Sequence, residues 1–164
     1  MKKNDYLKID DTIYRILAVD KDNYLVLNCN TKNMPVWRLE AELADGVIIS
    51  REEAFEILEI ELIEEELTGN EFKQAHERYT MIAGVLAFMN DDSLRNRAIT
   101  MAVDTYGISR RTLTTYLCNY LATDNISSLV PKSRKKNRPM TDDEKIMRWS
   151  LNKFYYTRHK NTIA

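Results

Sequence analysis

Cysteine is scarce in this 164-residue chain: only Cys29 and Cys118 occur, far apart and without a CxxC pair. That excludes a disulfide framework and a zinc knuckle, and predicts two reduced thiols in apolar packing. Histidine is equally rare. Neither His76 nor His159 has a second histidine or a cysteine at ligand spacing, so both are expected at the surface or its edge, and no metal site is expected. Four glycines leave little room for a phosphate-cradling loop, and neither GxxxxGK[ST] nor GxSxG is present, so no cofactor and no active site are expected. No apolar run approaches the roughly 18 residues of a membrane span, and the opening MKKNDYLKIDD lacks the apolar stretch of a signal peptide. These absences predict a soluble, cytoplasmic protein with no membrane partner, built as one compact domain or two small ones.

Charge is plentiful but unevenly placed. The whole chain carries a net charge of −1, yet residues 1–92 hold 10 Lys+Arg against 20 Asp+Glu while residues 93–164 hold 14 against 5. An acidic front half and a basic back half point to nucleic acid, or to an acidic partner, for the basic half.

The first third reads as strands. Thr12–Asp20 (TIYRILAVD) and Tyr24–Cys29 (YLVLNC) are rich in β-branched and aromatic residues, with a polar Lys21-Asp22-Asn23 turn between them. Tyr6–Ile9 supplies a third strand and Val36–Leu39 a fourth, with Pro35 at a strand start where its missing N–H does least harm. From Glu40 to Glu66 there are eleven acidic residues and one base, Arg51. Within it the apolar residues of Ala54–Leu67 fit neither a period of 2 nor one of 3.6, and an extended piece giving way to helix is expected. The carboxylates from Glu52 to Glu66 select no ligand set by spacing, which favours a solvated acidic face over a metal site or a catalytic pair.

Helical spacing follows. Asn70 is the expected N-cap of a helix to about Met89, Asp92 or Ser93 that of a second to about Tyr106, and Ser109 that of a third through about Ala122. Beyond Asn125 the composition turns basic, and PKSRKKNRP (residues 131–139) has five bases and no acid. Thr141 then starts another helix, with Asp142, Asp143 and Glu144 at its positive end. The expected fold is α+β: a small N-terminal antiparallel sheet or open barrel, a helical helix-turn-helix domain, and the start of a further helical domain. Its segments are 1–50 (strand-rich), 51–69 (acidic connector), 70–125 (helix-turn-helix), 126–140 (basic linker) and 141–164 (first helix of a second, truncated DNA-binding domain).

The informative stretch is Ala98–Leu121. Two helices joined by a turn of about three residues containing Gly107 match the helix-turn-helix, whose second helix enters the major groove of DNA. Ile108 plugs the angle between the helices and Ser109 caps the second, while Leu113 and Tyr116 pack inward. Arg110, Arg111, Thr112, Thr114, Thr115 and Asn119 are left to face DNA from the capped end at Ser109: arginine pairs with guanine or phosphate, and asparagine or threonine with base edges. Lys132, Arg134, Lys135, Lys136 and Arg138 in the linker suit a phosphate-tracking or minor-groove arm, against the plainer alternative of a solvated tether.

In order, these pieces resemble a known family. NDYLKIDDTIYRILAVDKDNYLVLNC followed by VWRLEAEL is similar to the N-terminal region of TnsB-type transposases, Mu-like DDE recombinases with a retroviral-integrase-type catalytic core. AVDTYGISRRTLTTYLCNYL with PKSRKKNRPMTDDEK resembles the family's first end-binding helix-turn-helix, and Asp142–Thr157 (DDEKIMRWSLNKFYYT) the opening of its second DNA-binding domain. One departure is Val103, four residues before Gly107, where small alanine is commoner; it is expected to open the angle between the two helices slightly. The resemblance covers nearly the whole chain. It implies recognition of double-stranded DNA at transposon ends, with other transposition proteins as partners, ahead of a core that cleaves and joins strands using three carboxylates and divalent metal. The chain stops before such a core could begin, so the expectation is the non-catalytic front portion of a longer transposase, with no carboxylate assigned to the catalytic triad. Two other readings stand beside it: a stand-alone helix-turn-helix transcriptional regulator whose acidic region dimerises or senses a ligand, and a protein-interaction module whose sheet and acidic face dock a basic partner.

Overall fold

A two-residue turn at Asp10 and Asp11 folds β1 (Tyr6–Ile9) onto β2 (Thr12–Asp20), with Ile9 opposite Thr12 and Asp10 in the left-handed region at φ 51°. The computed structural model describes residues 1–60, 67–131 and Ile146, and one compact unit spans Met1–Pro131. Three more strands, β3 (Asn23–Asn28), β4 (Val36–Leu39) and β5 (Val47–Ile49), complete an antiparallel sheet in the order β4-β3-β2-β1-β5. Among the described residues β4 and β5 remain edges, so the sheet is open rather than a closed barrel. Helices α1 (Arg51–Ile57), α2 (Gly69–Leu86), α3 (Asp92–Tyr106) and α4 (Arg110–Thr123) follow, with short 3-10 turns at Glu40–Leu43 and Ile126–Leu129. The fold is α+β. No helix among the described residues is long and apolar enough to cross a membrane.

Strand alternation explains how the sheet carries the helices. Leu25 and Leu27 on β3 point to the helical side and join a core with Ala75, Ile82, Val85, Ile99, Leu113, Leu117, Leu121 and Leu129. Tyr24 and Val26 point the other way and pack with Leu7, Ile16 and Leu43, the last delivered by the 3-10 turn after β4. A register shift between Ile16 and Ala18 bulges β2, and both Leu17 and Ala18 lean on the helical core. The strand-rich and helical segments therefore share one core across the layer interface, although the sequence marks each of them separately.

Several boundaries differ from expectation for local reasons. The extended piece expected to begin at Ala54 is preceded by the strand β5, and residues 51–57 are helical because the Ser50 side chain accepts from the Glu53 N–H and Glu52 and Glu53 sit at the positive end. The cap of α2 is Thr68 rather than Asn70, since Thr68 and Glu71 form a reciprocal capping box that draws the Glu71 carboxyl below its usual range. Asp91, one residue earlier than expected, caps α3. Residues 126–131, expected to open the basic linker, instead fold back with Leu129 buried against α2 and its carbonyl accepting from Arg78. The linker bases Lys132, Arg134, Lys135, Lys136 and Arg138, the helix from Thr141, His159 and the carboxylates of residues 61–66 lie outside the described residues.

Sheet and helices are joined chiefly at the last turn of α4. The Tyr6 hydroxyl donates to the carbonyl of Ala122 (2.7 Å), Arg15 Nη1 to that of Leu121 (2.6 Å) and Arg51 Nη2 to that of Thr123 (2.8 Å). The Asp124 N–H, with Asp124 itself left-handed at φ 54°, satisfies Tyr120 (2.7 Å). Arg15 is only 5% exposed and also donates to Asn4 (2.9 Å) and pairs with Asp124 (3.4 Å). Its loss strands a buried carbonyl. Arg15→Ala is expected to lower unfolding stability by about 2–3 kcal/mol, read as a reduced urea midpoint.

Two glycines give a second, ordered expectation. A Cβ at Gly46 falls 2.5 Å from Cγ of the fully buried Leu7, whereas one at Gly107 meets nothing within 4 Å and suffers only from φ 63°. Gly107→Ala should therefore cost about 1 kcal/mol and Gly46→Ala more, about 2–3 kcal/mol. Equal midpoints for the two variants in denaturant would contradict this packing.

Candidate nucleic-acid interface

The turn between α3 and α4 is built by three residues with distinct tasks. Gly107, at φ 63° and ψ 29°, takes the left-handed conformation that closes α3, and its N–H reaches the Val103 carbonyl at 2.9 Å. Ile108 is half-buried against the shared core, as is Val103. Ser109 leaves the chain extended and its Oγ accepts from the Thr112 N–H at 3.1 Å. The first turn of α4 then holds Arg110 and Arg111 and no acid. Two cations at the positive end of a helix oppose its dipole, which costs roughly 0.3–1 kcal/mol each. A local rule broken at an exposed place is a pointer to function.

The side chains expected to face DNA divide into groups. Arg110 and Arg111 are exposed, while Thr112, Thr114, Thr115 and Asn119 are half-buried. Arg110 Nη2 donates to Asn96 Oδ1 on α3 at 2.7 Å, which draws that guanidinium across the gap between the two helices. Arg111 makes no hydrogen bond or ion pair among the described residues. The Thr112 hydroxyl lies 2.8 Å from Ser109 Oγ, so it serves the helix cap. Asn119 Oδ1 accepts from Lys32 Nζ at 3.2 Å.

That last contact brings in a part of the chain the sequence does not flag. The β3–β4 loop passes over α4, where Cys118 Sγ donates to the Asn33 carbonyl at 3.3 Å. Lys32 and Asn33 join Arg110, Arg111, Thr114 and Thr115 around an open groove of about 580 Å³. Its lining has three cations and no carboxylate, which is a surface for an anion. A lone lysine in a polar turn gives no hint of where its loop lands.

Elsewhere the described surface holds no competing chemistry. No three His, Cys, Asp or Glu side chains among the described residues are placed to hold a metal ion. His76 is exposed on α2 with its ring 6.0 Å from that of Phe72. Glu52, Glu53, Glu56 and Glu59 are exposed and solvated.

Both cysteines are free thiols. Burial pushes Cys29 up to about 12 and Cys118 up to about 11, the latter against an opposing pull from Lys32. Burial likewise raises Tyr120 to about 12. A thiol that ionises near 9.0 once unfolded but near 11 or 12 when folded favours the native state fully below pH 9. That contribution is lost as the pH climbs toward 11 and 12. Urea midpoints are thus expected to hold level up to about pH 9 and to fall beyond it, with native thiols inert to alkylation at pH 8. Comparison with known protein families and with curated proteins finds no match to this chain.

Proposed function

We propose that this chain binds double-stranded DNA sequence-specifically through α4, as the non-catalytic, transposon-end-binding portion of a DDE transposase. The observation that carries the DNA-binding part is the first turn of α4. There Arg110 and Arg111 stand exposed beside a left-handed Gly107 turn, on a groove with Lys32 and without a carboxylate. Arg111 is free among the described residues to pair with a guanine edge, and Thr114 and Thr115 lie one turn further along the same helix. Thr112 supports this contact by holding the cap, not by reaching a base. The transposon-end part rests on the resemblance of the strand, helix-turn-helix and basic-linker sequences, in that order. Under this reading the partners are DNA repeats and other transposition proteins, and the cleaving and joining chemistry belongs to a separate core.

A randomised duplex pool tests the reading directly. The wild-type chain is expected to enrich a defined sequence, and Arg111→Ala to lose about 1–3 kcal/mol of discrimination at one base pair of it. Arg110→Ala combined with Arg111→Ala should abolish the enrichment while the chain stays folded. Enrichment of the same sequence by the double variant would sink the assignment of α4. A stable dimer on a palindrome would favour a stand-alone regulator instead.

A further inference from the structure

We infer that the β3–β4 loop is a second DNA-contacting element, in which Lys32, held beside α4 by Asn119, takes a backbone phosphate of the duplex that α4 reads. This rests on the DNA-binding reading above and adds to it a residue from the sheet. The geometry starts from two rows on α4, each stepping four residues: Arg110, Thr114 and Cys118, and beside them Arg111, Thr115 and Asn119. The loop crosses the far end of both rows. Asn33 is bonded to Cys118 at the end of one, and Lys32 to Asn119 at the end of the other. One groove between loop and helix is therefore lined by arginines from the first turn of α4 and by a lysine from the loop.

The loop is fastened on both sides of Lys32. Before it, the Asn28 side chain accepts from the N–H groups of Asn30 (3.0 Å) and Thr31 (3.2 Å). After it, the Pro35 carbonyl accepts from the buried Arg95 at 3.3 Å. A backbone so pinned brings an ammonium to one place at little ordering cost on binding. No carboxylate of the described residues pairs with Lys32, Arg110 or Arg111, because the two ion pairs there use Asp124 and Asp92. Three like charges around one groove repel one another until an anion arrives.

Distance along the helix selects the kind of contact. Asn119 lies eight residues beyond Arg111, about 12 Å along the axis of α4, comparable to the width of the major groove. With the start of α4 at the base edges, Lys32 reaches the phosphate wall rather than a base. A compact ammonium suits a phosphate as a point charge. Asn119 then acts as a positioning residue for Lys32 and is not a base reader.

The test uses the full chain with two duplexes: the one it enriches from a randomised pool, and a scrambled version of it. Lys32→Ala is expected to weaken binding to both by the same factor, to leave the enriched sequence unchanged, and to reduce the log–log salt slope by about 0.9. Lys32→Arg should keep the slope. Asn119→Ala should weaken binding in the wild-type background and add nothing in the Lys32→Ala background. Thermal midpoints should stay level, since Lys32 is exposed. An unchanged slope in Lys32→Ala, with Arg110→Ala plus Arg111→Ala still losing selection, overturns this inference and leaves the function of α4 standing. A changed enriched sequence in Lys32→Ala overturns the phosphate assignment, as does an Asn119→Ala loss that is equal in both backgrounds. Failure of the wild-type chain to bind any duplex overturns this inference and the DNA-binding reading together.

Discussion

The last four carbonyls of α4 have no backbone N–H partner within the helix, and the way they are satisfied ties α4 to the sheet. Asp124 N–H takes Tyr120, Arg15 takes Leu121, Tyr6 takes Ala122 and Arg51 takes Thr123. Three of the four donors come from the sheet or from the start of α1. Two of them are guanidinium groups at the negative end of the helix dipole, where a cation is favoured. An apolar contact alone lets two layers slide; carbonyls that must each meet a particular donor do not. The sheet thus grips α4 by one end and leaves the capped end with Arg110 and Arg111 in water.

That grip also redistributes the charge. The front half of the chain is acidic in sum, yet three of its bases lie against α4. Arg15 and Arg51 lie against the last carbonyls of α4, and Lys32 lies beside Asn119, one turn earlier. The carboxylates of α1 are exposed and are not part of the groove lining. Summed by segment, the charge describes a dipolar chain; among the described residues it leaves a small groove on α4 lined by three cations and no carboxylate. Arg95, a buried base, likewise ties the Met89 carbonyl in the turn after α2 to that of Pro35 in the β3–β4 loop.

What could be read in the sequence was periodic or local. β2 and β4 follow from alternation and β-branched residues, and Ser109 and Gly107 mark their turn because capping and left-handed geometry demand few residue types. β5 escaped because three residues inside an acidic stretch make no period, and the helix at Arg51–Ile57 because its seven residues make barely two turns. Asn70 was a sound cap in isolation and lost to Thr68, whose partner Glu71 supplies a second bond. Nothing in the sequence flags the burial of Arg15: it falls in phase with Ile13 on one face of β2, but the carbonyl that satisfies it lies 106 residues away. Lys32 carries no signal at all: its place beside Asn119 is set by where the β3–β4 loop lands on α4, a matter of tertiary packing alone.

The open edges of the sheet give the acidic stretch a further meaning. β4 exposes Val36 and Leu39, and β5 exposes Val47 and Ile48, so among the described residues both edge strands offer apolar side chains. Edges of this kind recruit strands from other molecules. Glu40 and Glu42 follow β4, and Asp45 precedes β5 while Glu52 and Glu53 come after it, all of them exposed. Like charges flanking an apolar edge disfavour pairing with an identical edge, so the acidic stretch sets a cost on strand-to-strand association of two copies.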